Sequence, residues 1–166
     1  SVKSKSLDDM LEHSNTLLKK ATVYEVLGWD KDNKTILKSK IDYYTTEIKN
    51  SPHFFLYLPE VNVLSKDLAQ TLSTFKGRVL SLGGVTSLNK TTAETLATFK
   101  GKNLSLNGVT SLDKETAKAL STFKGDNLYL NGVTSLDKTT AVDLSTFKGE
   151  RLFIQPTVRK HINQYK

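Results

Sequence analysis

With 166 residues, 37% of them hydrophobic, the chain can bury one continuous core in a single compact domain, which excludes a disordered tail protein. It has no Cys, so disulfides and thiolate zinc sites are excluded, and its longest apolar run, Phe54 to Leu58, falls far short of the roughly 18 residues of a membrane helix, so no membrane insertion is expected. The net charge of +7 is spread along the chain, with 9 Lys against 8 acidic residues in 1–53, and there is no Arg-rich stripe or RNA-binding signature, so a solvated basic surface is expected rather than a nucleic-acid partner.

The first 53 residues carry two helical stripes. Leu7, Met10, Leu11, Leu17, Leu18 and Ala21 follow a Ser6 cap with Asp8 and Asp9 in the first turn. After the break from Gly28 to Asn33, Leu37, Ile41, Tyr44 and Ile48 form a second stripe, stopped by Asn50-Ser51-Pro52. These helices are expected to cap the remainder of the chain, with the gripping of a partner protein as the alternative use of their apolar faces. Because the sequence opens on Ser1 rather than Met, an upstream segment such as a signal peptide is left open, as are secreted and cytoplasmic locations.

From 54 to 155 the chain repeats itself at an offset of 24 residues. Phe75, Phe99, Phe123 and Phe147 align, each followed by Lys and Gly. Leu56, Leu80, Leu104, Leu128 and Leu152 form another column, and Leu58, Leu82, Leu106, Leu130 and Ile154 follow two residues on. Further columns start at Val61, Leu64, Ala69 and Leu72 and persist through four units. The spacing of two within Leu104 and Leu106 predicts short strands near 56–58, 80–82, 104–106, 128–130 and 152–154, each with one buried face. Asn107-Gly108 then turns the chain. Ser65, Asn89, Asp113 and Asp137 predict N-caps of helices whose inward stripe in one unit is Ala117, Leu120 and Phe123, with the glycine at 125 as a left-handed stop. Since no single unit can enclose its own apolar stripe, the units must stack, with parallel strands on one side and helices on the other.

Motifs such as Leu104-Ser105-Leu106-Asn107-Gly108-Val109 resemble the leucine-rich-repeat family, in the style of bacterial proteins with short repeats. That resemblance implies an α/β leucine-rich-repeat solenoid: a short horseshoe arc of about five parallel strands with helices on the convex side. It also implies a protein-interaction module. Val85, Val109 and Val133 stand where the family has Asn, so Thr86, Thr110 and Thr134 are expected to take over the side-chain ladder along the turns. Beyond the array, Pro156 replaces the usual turn, and Thr157 to Lys166 predicts a short polar capping helix.

No catalytic residues, metal site or cofactor are expected. His13, His53 and His161 share no motif, there is no GxSxG, HExxH or P-loop pattern, and His13 with Glu12, Asp8 and Asp9 is read as a helix first turn. If the leucines point inward, the alternate residues form three outward columns that vary between units. The candidate partner-binding residues are Tyr57, Ser81, Ser105, Asn107, Tyr129, Asn131, Phe153 and Gln155, facing a protein partner that the sequence does not identify, with the chain as a monomer. Two other readings are an ice- or carbohydrate-binding surface built from Thr86, Thr110, Thr134, Ser87, Ser111 and Ser135, and, more weakly, an enzyme with an unrecognised site. The exposed rows of lysines beginning at Lys66 and at Lys76 recur every 24 residues, and the first could mark a site for an anionic partner.

Overall fold

The computed structural model describes residues 55–58 and 61–166. The two helices expected in 1–53 lie outside the described residues. Strands and helices alternate along the chain: β1 (Phe55–Tyr57), α1 (Lys66–Ser73), β2 (Val79–Ser81), α2 (Lys90–Leu96), β3 (Asn103–Ser105), α3 (Lys114–Leu120), β4 (Asn127–Leu130), α4 (Lys138–Leu144), β5 (Arg151–Ile154) and α5 (Pro156–Asn163). All five strands join one parallel sheet in chain order, β1-β2-β3-β4-β5. Leu56, Leu80, Leu104, Leu128 and Leu152 stand in register across it, so the sequence offset is preserved as a spatial repeat. Each strand begins one residue before the expected position, on the residue that precedes the first leucine.

Parallel neighbours need a long return connection, and here each return carries a helix that packs on the next. The helix starts follow from the cap column. Leu68 N–H donates to Ser65 Oγ (3.1 Å), Thr92 N–H to Asn89 Oδ1 (2.9 Å), and Thr116 and Thr140 N–H to Asp113 and Asp137 Oδ1 (both 2.8 Å).

The helix ends differ from the sequence expectation. They fall at Ser73, Leu96, Leu120 and Leu144, before the Phe-Lys-Gly run, and Gly101, Gly125 and Gly149 are not in the left-handed conformation. A threonine closes each end instead: the hydroxyls of Thr74, Thr98, Thr122 and Thr146 each donate to the carbonyl three residues back at 2.6 Å. Space, not backbone angle, requires the glycine. A Cβ on Gly125 would run into the Phe123 ring and stand 2.7 Å from the Gly101 carbonyl oxygen.

Six of the seven repeated apolar columns are buried, while Leu88, Leu112 and Leu136 of the seventh pack partly exposed against the core. At the centre the Phe column forms a ladder, with ring centroids 6.2, 6.2 and 6.4 Å apart and planes within 9° of parallel. Helices are also tied directly: Ser121 Oγ lies 2.7 Å from the Ala117 carbonyl of its own helix and 2.9 Å from the Asp143 carbonyl of the next. At the C-terminal end, α5 is shorter than expected and amphipathic rather than polar. Val158 and Ile162 are buried, and Leu152 and Ile154 of the last strand are covered too. Pro156 starts this helix where its missing N–H costs no bond. Among the described residues, no helix is long and apolar enough to cross a membrane.

Phe123, only 1% exposed, is flanked by a ring on both sides. Phe123→Ala should therefore destabilise the fold by about 3–5 kcal/mol in denaturant unfolding, and a loss under about 1 kcal/mol would contradict the ladder as a core element.

Asp113 and Asp137 have carboxyl pKa values held below the usual aspartate value, chiefly by the cap bonds from the Thr116 and Thr140 backbone N–H groups. A depressed folded-state pKa gives stability that is present above the unfolded-state value and is lost as pH falls through the folded-state value. Asp113→Asn should keep a cap, as Asn89 does in α2, but lose this pH dependence. Thermal unfolding across the acid range should show wild type losing stability relative to Asp113→Asn as the carboxylate protonates. A gap that does not change with pH would contradict the charged cap.

Candidate functional site on the outward strand face

Period-two alternation sends the residues between the buried leucines to the other side of the sheet. Three columns result: Val79, Asn103, Asn127 and Arg151 on β2 to β5; Tyr57, Ser81, Ser105, Tyr129 and Phe153 on β1 to β5; and Gly83, Asn107, Asn131 and Gln155 just beyond the strands. All eight sequence-predicted residues lie in the last two columns. Tyr57 is 40% exposed, Asn107, Asn131 and Gln155 are exposed, and Ser81, Ser105, Tyr129 and Phe153 are half-buried.

Strand register brings Tyr129 and Phe153 side by side. Their rings stack at 4.2 Å between centroids with planes 1° from parallel. The Arg151 guanidinium, two residues earlier on the same strand face, sits over the Phe153 ring at 4.7 Å. The result is one stack of Tyr129, Phe153 and Arg151. The other side of Tyr129 meets only Ser105 and Ser81 along the column before Tyr57, three strands away or roughly 14 Å at ordinary strand spacing. The face is therefore floored by small hydroxyls between two aromatic groups.

Amides run along both flanks. Asn127 Nδ2 donates to Asn103 Oδ1 (2.7 Å), the Asn131 N–H donates to Asn107 Oδ1 (2.9 Å), and Gln155 Nε2 donates to the Asn131 carbonyl (2.7 Å). These bonds lock the flanks yet leave amide donors and acceptors unused, since each amide has more bonding positions than the ladder consumes.

The turn ladder thus belongs to Asn107 and Gln155, not to Thr86, Thr110 and Thr134 as the sequence suggested. The valine N–H groups close their own turns onto Leu82, Leu106 and Leu130 carbonyls at 3.1 Å, which leaves the threonine hydroxyls nothing to bridge. Those threonines and Ser87, Ser111 and Ser135 are all exposed. Gly108 and Gly132 serve the same stacking of turns: a Cβ on either would collide with carbonyl oxygens of the preceding turn.

Charged rows border the helices. Lys66, Lys90, Lys114 and Lys138 open α1 to α4, and Lys90 approaches Glu94 (3.8 Å) and Glu115 (3.9 Å). Lys76, Lys100, Lys124 and Lys148 stand exposed on the loops that lead into β2 to β5, and none of them has an ion pair among the described residues. Nearby, Lys102 pairs with Asp126 at 3.2 Å. Among the described residues, no cluster of His, Asp and Glu is arranged to hold a metal ion, and His161 lies in α5 beside Tyr165, 5.8 Å between ring centroids.

Alternation places Arg151, Asn103 and Asn127 in the first outward column, but sequence reasoning did not count them among the candidate binding residues. The signal was available, because Arg151 is two residues from Phe153, and Asn103 and Asn127 share one outward column. With the geometry in hand, comparison with family models, curated proteins and solved structures gives no match to the chain.

If Tyr129 and Phe153 stabilise each other only through their stack, a double-mutant cycle with Tyr129→Ala and Phe153→Ala should give a coupling of about 0.5–1.5 kcal/mol in stability. Zero coupling would mean that the rings do not stack in solution.

Proposed function

We propose that the chain is a leucine-rich-repeat type of interaction module that binds a protein partner on a concave strand face, as a monomer and without catalysis. The Tyr129 and Phe153 stack carries this reading. The sheet already has a full core on its other side, so folding does not call for two large rings on the solvent side. Aromatic groups set among small polar residues offer contact area at low entropy cost, a usual composition of recognition surfaces. The proposed contact residues are Tyr57, Ser81, Ser105, Asn107, Tyr129, Asn131, Phe153 and Gln155.

Concavity is supported by the repeat spacing. Strands pair at about 4.8 Å, whereas helices about 10 Å across must crowd on the other side. The ring spacings run the same way, from 4.2 Å on the strand face to 6.2 to 6.4 Å in the Phe ladder between the layers.

A second reading draws on the exposed hydroxyls of Thr86, Thr110, Thr134, Ser87, Ser111 and Ser135, a regular array that suits ice or a carbohydrate. Thermal-hysteresis and glycan-binding assays separate it from a protein binder.

The first reading is tested with a partner captured from a lysate of the source organism. Tyr129→Ala should weaken that partner by about 1–2 kcal/mol or more, while Lys114→Ala and Lys138→Ala on the helical side should change affinity little. Binding that survives Tyr129→Ala and disappears with the lysine pair would place the site on the helical side.

A further inference from the structure

Lys76, Lys100, Lys124 and Lys148 recur in every unit at the border where the chain enters the strand face, and all four are exposed. The Phe before each one stacks on its neighbours at 6.2 to 6.4 Å, so the four lysines stand one per repeat on successive stacked loops. Such a row repels itself. Helix dipoles do not account for it, because the helices end at Ser73, Leu96, Leu120 and Leu144, before the lysines, and the dipole acts mainly within the last turn. None of the four ammonium groups has an ion pair among the described residues, and of the acidic residues two positions after Lys124 and Lys148, Asp126 is paired with Lys102 instead.

The strand face has the same sign. Arg151 is its one charged side chain in the outward columns, and no acidic residue stands among them. The guanidinium lies over Phe153 at 4.7 Å without a carboxylate partner among the described residues, and the ring limits its freedom, so its donor fork is partly preorganised for one. Beside it the stacked rings and small serines offer an apolar place for a neighbouring side chain.

Resting on the strand-face reading above, we propose that the bound partner presents an acidic segment. Its carboxylates lie along the row from Lys76 to Lys148 and pair with Arg151, while an apolar side chain packs against Tyr129. The unpaired positive charge supplies attraction and orientation, and the aromatic group supplies contact area.

Selection of a phage-displayed random peptide library on the full chain tests this, followed by binding of synthetic copies to wild type, Tyr129→Ala and the double variant Lys100→Glu with Lys124→Glu. Heparin serves as a non-peptide polyanion. The expected peptides are rich in Asp and Glu, lose affinity steeply as salt rises, and bind either variant about tenfold more weakly or worse. Both variants should remain folded by circular dichroism, since the exchanged lysines are exposed.

Enriched peptides with no acidic excess that still need Tyr129 would overturn the acidic partner while leaving the strand-face reading in place. Acidic peptides or heparin that need the lysines but ignore Tyr129→Ala would show a separate charge strip and overturn both. A selection that enriches no peptide would overturn the acidic segment.

Discussion

Everything in this fold depends on how closely one unit can lie on the next. At Gly125 the backbone runs so near the Phe123 ring and the Gly101 carbonyl that a methyl group would not fit, and at Gly108 and Gly132 successive turns meet carbonyl to backbone. Close approach at these points holds the Phe rings at their constant separation and keeps the strands in register without a slip. A displacement in one repeat would propagate to its neighbours, because each repeat has little core of its own.

Regular translation from unit to unit has a surface consequence. Any residue type kept at one position becomes a row, and any residue type that varies becomes a local feature. The lysines at 76, 100, 124 and 148 are a row, whereas Tyr129, Phe153 and Arg151 are a local feature at one end of the sheet. Hydrogen bonds of the side-chain amides across the strand face give this feature firm surroundings, so a partner would meet a surface that needs little ordering.

Much of the architecture was legible in the sequence because its causes are local or periodic. Ser65, Asn89, Asp113 and Asp137 could be read as caps since a short acceptor at a helix start has one usual purpose, and the parallel register followed from the fixed offset of the leucines. The helix ends were misread because Gly101, Gly125 and Gly149 look like conformational stops, whereas their role is to admit a neighbouring ring and carbonyl across space. For the same reason the amide of Asn107 was placed on the outward face while its bond to Asn131 went unseen. The outward columns themselves were legible from alternation alone, but the cover of Arg151 on Phe153 needed side-chain geometry.

If recognition takes place on the strand face, as proposed, the side-chain amides there report on it directly. In a nitrogen-edited NMR titration with a captured partner, the side-chain NH2 resonances of Asn131, Gln155 and Asn107 should shift or broaden first, while backbone amides of Lys114–Leu120 and Lys138–Leu144 stay in place. Shifts confined to those two helices, with the three amide side chains unmoved, would contradict the account.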